Sequence, residues 1–115
     1  MTRDEKYQAA QERIGYMLEE FKIGGNYTPL VRDGNQLYIS GQIPRVGDTL
    51  MLPGKVGESL TLAQAQIAAS ISALRCLGLL KQALGSLDQV KTLVRITVYV
   101  RSAEDFDQQS EVANA

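Results

Sequence analysis

The side chains that could do chemistry are limited first by what the chain lacks. Its 115 residues include no histidine and a single cysteine, Cys76. Nucleophilic triads that need histidine are therefore excluded, and so are zinc sites built from histidine or from several thiolates. The chain contains neither GxxxxGKS/T nor GxGxxG, so no phosphate-binding loop is predicted. Any catalysis must use carboxylates, tyrosine, serine, lysine, arginine or backbone groups, and we interpret Cys76 as a small core residue.

A small pair of residues, Ser40 and Gly41, stands at the end of a predicted strand. Asp33-Gly34 is a strong hairpin-turn signal, so residues 36–40 are predicted to return antiparallel to residues 27–31. A glycine at a strand end lets a ligand or another backbone approach closely. The simpler interpretation is a strand end that needs small residues, and the sequence pattern leaves both open.

A long helix must position this hairpin. Thr61 with Gln64 three residues later forms a capping box, and Gly85 supplies a left-handed stop. Ser86 with Gln89 repeats the capping signal for a short turn. Apolar residues recur at helical spacing and predict one buried stripe, made of Ile67, Ile71, Leu74, Leu77, Leu80 and Leu84.

The helix pattern leads into a strand pattern over residues 91–101. One set of alternating residues is wholly apolar and is predicted to cover the helix, namely Val94, Ile96, Val98 and Val100. The opposite set is mixed and suits contact with a subunit partner; it comprises Leu93, Arg95, Thr97, Tyr99 and Arg101. Because the long helix is a crossover, this strand is expected to pair parallel with a hairpin strand.

Two further helices flank these elements. Thr2 with Glu5 starts an amphipathic helix that we expect Gly24 and Gly25 to end. We interpret it as packed on the outside of the domain, with a partner-binding helix as the alternative. Ser102 followed by Asp105 predicts a last helix. The element order favours an α+β domain with helices on one face of a sheet.

Composition limits the partners. The chain has 12 basic and 13 acidic side chains and a net charge of −1, which argues against a nucleic-acid-binding surface. We find no unbroken apolar run of about 18 residues, the length that a membrane span needs. The N-terminus is charged and amphipathic, unlike a signal peptide. We therefore expect a cytoplasmic protein with no membrane partner.

Several segments in order resemble one known family. The strings are YTPLVRDGNQLYISGQIP, GKVG, LTLAQAQIAASISAL and LGSLDQVKTLVRITVYVRSAEDF. Together they resemble the YjgF/RidA family, small proteins also labelled endoribonuclease L-PSP or imine deaminases, and most closely a divergent bacterial subgroup. The resemblance implies a chorismate-mutase-like α+β sandwich on a mixed sheet over residues 25–115, with residues 1–24 as a helical extension.

The resemblance also implies an activity and an assembly. Active family members hydrolyse imines and enamines, such as 2-aminoacrylate, to 2-keto acids and ammonia without a cofactor. They form homotrimers with ligand sites in the clefts between subunits. For this chain we therefore expect no cofactor, no metal, and a small substrate that carries a carboxylate.

Carried over by position, the resemblance places Tyr27, Ser40 and Gly41 in the substrate cleft. Tyr27 is otherwise interpreted as a half-buried aromatic at a strand start. Ser110 or Asn114 is expected to approach the same cleft from the last helix. The family's carboxylate-binding arginine would lie beyond Ala115, and we expect the full protein to continue past that residue; the alternative is a protein that ends there and lacks this arginine.

Three functions remain open at this point. The first is an imine/enamine deaminase, a hydrolase. The second is a non-catalytic trimer of the same fold that binds a small ligand or regulates another process. The third is a weak endoribonuclease activity, which the balanced charge disfavours.

Overall fold

The computed structural model of the chain describes residues 1–18 and 28–115. The helices are α1 (Arg3–Ile14), α2 (Leu62–Leu84), a 3-10 helix (Leu87–Gln89) and α3 (Gln109–Ala113). The strands are β1 (Leu30–Asp33), β2 (Gln36–Ile39), β3 (Arg45–Val46) and β4 (Thr49–Leu50). The predicted α+β class is confirmed.

Helix α2 is the element on which the others pack. Its predicted capping box is present: Thr61 Oγ1 accepts from the Gln64 amide at 3.2 Å, and Gln64 Oε1 accepts from the Thr61 amide at 2.9 Å. Gly85 ends the helix at φ +85°, as predicted. The stripe is buried around Ile71, which is 0% exposed, but Ile67 one turn earlier is 39% exposed.

By length and composition alone, α2 could also cross a membrane. In this fold it is instead the central helix of the domain, since α1, α3 and β3 all pack against it. Its middle turn carries a buried arginine, Arg75, which is hydrogen-bonded to neighbouring segments. Within the domain, 33% of its most apolar 18-residue stretch is buried.

Helix α1 starts as predicted and ends earlier than predicted. The capping box of Thr2 and Glu5 is formed. The helix stops at Ile14 because Gly15 adopts φ +82° and its amide bonds back to Gln11. The buried side chain of Gln11 then accepts from the Leu18 amide at 2.7 Å, which keeps Leu18 in the core after the helix has ended. The predicted stop at Gly24 and Gly25 lies outside the described residues.

Helix α1 is tied to the 3-10 helix by polar contacts at its first turn. Asp4 Oδ1 accepts from the Leu87 amide at 2.8 Å, and the Arg3 guanidinium donates to the carbonyls of Leu87 and Val90. The Leu87 amide, helped by a hydrogen bond with Ser86, lowers the pKa of the Asp4 carboxyl. Tyr7 lies in the same core cluster as Ile71. Helix α1 is therefore part of the main core.

The predicted hairpin is present, with β1 starting at Leu30 and paired antiparallel to β2. Gly34 has φ +61° at the first position of the two-residue turn, where a glycine is favoured. Strands β3 and β4 form a second, smaller antiparallel pair. Both observed sheets are two-stranded and antiparallel, so the mixed sheet expected from the sequence is not seen among the described residues.

The predicted strand over residues 91–101 is the main correction. The segment joins neither sheet, and its predicted parallel pairing with the hairpin is wrong within the described chain. Most of its apolar set does not cover α2, because Val94 is 84% exposed and Ile96 is 70% exposed. Val100 packs against the cluster that contains Ala65 of α2. Alternation predicts an extended segment with two faces, but a ladder also needs a neighbouring backbone.

The predicted last helix is shorter than expected. The segment after residue 101 is held first by a bridge, in which the Val56 amide donates to the Arg101 carbonyl at 3.0 Å and the Ala103 amide donates to the Val56 carbonyl at 2.9 Å. A turn follows, and only Gln109–Ala113 is helical. Val112 anchors this helix in a small cluster with Val56, Leu60 and Ala65.

Candidate functional site

The three residues Ser40–Gln42, here called the SGQ segment, continue directly from β2. The Ser40 amide donates to the Pro29 carbonyl at 2.9 Å, which extends the hairpin by one more bond. The segment then leaves the hairpin and runs towards β3. The turn at Gly34 and the hairpin register thus fix where Ser40 is placed.

Gly41 is exposed at the centre of the SGQ segment. A Cβ atom added at Gly41 would have no heavy atom within 4 Å, and the residue does not have a positive φ. Neither the packing nor the backbone conformation of this chain therefore requires glycine there. Open space beside the backbone is what a closely approaching ligand or partner needs.

Gln42 folds back onto Ser40. Its amide nitrogen Nε2 donates to the Ser40 carbonyl at 3.2 Å and to Ser40 Oγ at 3.3 Å. Both residues are partly buried. The Gln42 amide thus closes the loop made by the SGQ segment and holds the Ser40 side chain beside it.

Arg75 supports this loop from α2, and the sequence-based site did not include it. Only 3% of the residue is exposed. Its Nε donates to Gln42 Oε1 at 3.1 Å, and its Nη1 donates to the Arg45 carbonyl at 2.9 Å. An arginine between Leu74 and Cys76, inside an apolar helix stretch, is the sequence signal that could have identified it.

The other predicted site residues lie elsewhere or outside the described part. Ser110 is exposed on α3, and Asn114 is the exposed residue that follows this helix. Helix α3 meets α2 near Gln66, whose side chain donates to the Glu111 carbonyl at 2.9 Å. Gln66 precedes Arg75 by nine residues, or about 14 Å along a helix. Tyr27 lies outside the described residues.

Ser40 and Gly41 therefore lie together, whereas α3 meets α2 at Gln66, about two and a half turns nearer the N-terminus of α2 than Arg75. Among the described hydrogen bonds, none joins Ser40 to α3. A cleft between subunits would not need the two groups to meet within one chain. The cleft-lining roles of these residues stay predictions.

A groove lies on another part of the molecule. A groove of about 390 Å³ runs between α1, α2 and the segment after the 3-10 helix. Its lining is mostly apolar and includes Leu74, Leu77, Leu87 and Leu93, with Arg3, Lys6 and Lys91 as its cations. None of the predicted site residues that the structure describes, namely Ser40, Gly41, Ser110 and Asn114, lines this groove.

The remaining reactive group is the Cys76 thiol, which is partly buried on α2. Burial raises the pKa of this thiol, although the neighbouring Arg75 charge acts in the opposite direction. Within the described residues no group of three or more histidine, cysteine, aspartate or glutamate side chains is placed to hold a metal ion. The polar chemistry of the site therefore comes from Ser40, Gln42 and Arg75.

The chain is similar in sequence to known proteins over most of its length. Residues 13–106 match the family described as "YjgF/chorismate_mutase-like, putative endoribonuclease". A Trypanosoma cruzi protein called protein TCP17 is 42% identical over 89 residues, which cover 77% of this chain and 56% of that protein. The chain thus spans a little over half the length of that relative.

Two solved structures are similar in fold. The Agrobacterium tumefaciens protein Atu1372, described as of unknown function, matches with a TM-score of 0.81 and 31% identity over 94% of this chain and 67% of its own. A Shewanella oneidensis MR-1 protein described as a "putative endoribonuclease" matches with a TM-score of 0.78 and 25% identity, over 94% of this chain and 72% of its own.

Proposed function

Because the chain belongs to the YjgF/chorismate mutase-like family, we propose that it hydrolyses imines and enamines of the 2-aminoacrylate type to 2-keto acids and ammonia. The reaction takes the enamine to its imine tautomer by a proton shift to carbon. Water then adds to the imine carbon, and loss of ammonia leaves the keto group. The substrate carries a carboxylate throughout, so the site must offer hydrogen-bond donors to an anion.

The proposal rests on the open space beside Gly41, the residue that follows Ser40 with its hydroxyl. The space beside Gly41 lets a small planar substrate lie against the backbone, and a hydroxyl can donate to one of its oxygens. Arg75 does not serve as the carboxylate-binding group in this proposal, because its guanidinium already donates to Gln42 and to the Arg45 carbonyl.

A homotrimer forms part of the same proposal. The segment 91–101 presents Leu93, Ile96 and Tyr99 to solvent, and Tyr99 is 92% exposed. Large apolar side chains that are exposed side by side are typical of a surface that another subunit covers. Light scattering should give three times the chain mass of 12.6 kDa; a monomer would contradict this part of the proposal.

The activity is tested with 2-aminoacrylate released by a pyridoxal-dependent dehydratase, with pyruvate formation followed by a coupled assay. The protein should accelerate ammonia and pyruvate release beyond the spontaneous rate. Gly41→Val should abolish this acceleration while leaving the melting temperature almost unchanged, because its side chain enters open space. Thr49→Val, an exposed change on β4, is the matched control and should stay fully active.

Two results would replace the proposal. If pyruvate binds but hydrolysis is not accelerated, the protein is a non-catalytic small-ligand-binding trimer. The family description also names an endoribonuclease. RNA cleavage that falls steeply with salt and is lost in Gly41→Val would favour that activity instead.

A further inference from the structure

We infer that Arg75 and Gln42 are positioning residues that fix the Ser40 hydroxyl as a hydrogen-bond donor to the carboxylate of the ligand. The inference rests on the proposed function, because it concerns how the same site selects an anionic substrate. It adds a chain of hydrogen bonds that runs from Arg75 at the centre of α2 through Gln42 to Ser40. Neither the family match nor the sequence pattern specifies this chain.

The first step follows from the chemistry of arginine. A guanidinium carries only donors, so the atom of Gln42 that faces Arg75 must be the amide oxygen. The separation of 3.1 Å between Arg75 Nε and Gln42 Oε1 is that of a hydrogen bond. A second bond from Arg75 to the Arg45 carbonyl, at 2.9 Å, holds the guanidinium in place. The orientation of the Gln42 amide is thereby determined.

The second step follows from the first. With its oxygen turned to Arg75, Gln42 must present Nε2 to Ser40, where it donates to the carbonyl and to Oγ. A hydroxyl that accepts from a donor cannot point its own hydrogen at that donor. The Ser40 O–H is therefore directed away from Gln42. Among the described hydrogen bonds, Ser40 Oγ donates in none.

The third step concerns the ligand. The Ser40 hydroxyl lies next to Gly41, beside which there is open space. A hydroxyl whose lone pair is engaged and whose hydrogen is available favours an acceptor over a donor. A carboxylate offers two charged acceptor oxygens, whereas the amide of a neutral analogue offers one uncharged oxygen and a donor nitrogen, so the hydroxyl favours the carboxylate. The buried Arg75 thus influences ligand choice without touching the ligand.

A double-mutant cycle tests whether Gln42 and Ser40 act through the same chain of hydrogen bonds. Pyruvate is the probe, and its affinity is measured for wild type, Gln42→Met, Ser40→Ala and the double variant. Gln42→Met keeps the side-chain length and removes the amide. Each single change should weaken pyruvate binding about three- to tenfold. The double variant should bind pyruvate no more weakly than Ser40→Ala alone, because both single changes act on the same hydrogen bond, from the Ser40 hydroxyl to the ligand.

Two further readouts separate this role from a merely structural one. Wild type should prefer pyruvate to pyruvamide, and Gln42→Met should lose most of that preference. Its melting temperature should fall, because the buried Arg75 Nε–H loses its acceptor, so the ligands are compared well below the melting temperature of each variant. Arg75→Lys keeps a donor to Gln42 and should retain more of the preference than Arg75→Met. Losses that multiply in the double variant, or a preference that survives Gln42→Met, would overturn the inference.

A ligand-free measurement keeps the inference separate from the proposed function. Nuclear Overhauser contacts between the Gln42 Nε2 protons and the Ser40 β protons should be present in wild type and lost in Arg75→Met. If wild type shows these contacts but binds no 2-keto acid, the proposed function fails, and with it the carboxylate as the ligand. If the contacts persist in Arg75→Met, Arg75 does not orient Gln42 and the inference itself fails.

Discussion

Two isoleucines on α2 provide a matched test of how this domain is held together. Ile71 is 0% exposed and Ile67, one turn earlier, is 39% exposed. Replacing Ile71 by alanine removes three buried carbons, worth about 2.4 kcal/mol at 0.8 kcal/mol each, and leaves a cavity that costs about 1 kcal/mol more. Alanine returns roughly 0.4 kcal/mol through its better helix propensity. We expect a net loss of about 3 kcal/mol.

The same change at Ile67 should cost about 1 kcal/mol, because only part of that side chain is removed from water and little cavity forms. Urea denaturation followed by circular dichroism measures both values, and the melting temperature should fall by about 4 °C for each kcal/mol. Titrations at two protein concentrations show whether subunit contacts contribute. Equal losses for the two variants would refute the assignment of Ile71 to the core and Ile67 to the surface.

Three further predictions follow from single groups. The lowered pKa of Asp4 means that its contact with Leu87 stabilises the fold above the ordinary carboxyl pKa, and that this stabilisation is lost as the pH falls through the folded-state pKa. The melting temperature of Asp4→Asn should therefore drop less between pH 6 and 3 than that of wild type. Equal drops for the two proteins would contradict this. The pKa of the Cys76 thiol is raised, so alkylation of the folded protein should be slow at pH 7 and its rate should still increase beyond pH 9, the ordinary thiol pKa. Urea-unfolded protein is the control. An alkylation rate of the folded protein that levels off below pH 9 would contradict this. Gly57→Ala should cost about 1–3 kcal/mol in urea denaturation, because Gly57 has φ +87° and a Cβ there would approach Phe106 to 3.1 Å, whereas Gly41→Ala should be close to neutral.

The elements with local signals were predictable from the sequence. The capping boxes at Thr2 and Thr61 are formed, Gly85 ends α2, and the hairpin turns at Gly34. Each of these depends on residues no more than four positions apart, so the pattern and its physical cause lie in the same short stretch. The neighbouring positions of Ser40 and Gly41 at the strand end follow from the same local order.

The features that depend on distant partners were not predictable in this way. Residues 91–101 alternate like a strand, but alternation does not say which backbone would pair with them. Arg75 was missed because helical periodicity treats a charged residue in an apolar stretch as an interruption, while its partners Gln42 and Arg45 are 33 and 30 positions away. Helix α1 ends at Ile14 because Gly15 adopts a left-handed conformation, and the Gln11 side chain then holds Leu18 in the core.

The exposed segment 91–101 also affects how newly made copies of the chain meet one another. It has β-branched residues, and it joins neither sheet among the described residues, as is typical of segments that stack into intermolecular ladders. Lys91, Arg95 and Arg101 place three cations along it. In a parallel, in-register stack of identical strands, equal charges would lie about 4.8 Å apart and repel. These cations therefore oppose self-stacking at low ionic strength, and concentrated salt, by screening them, should make the chain more prone to aggregate.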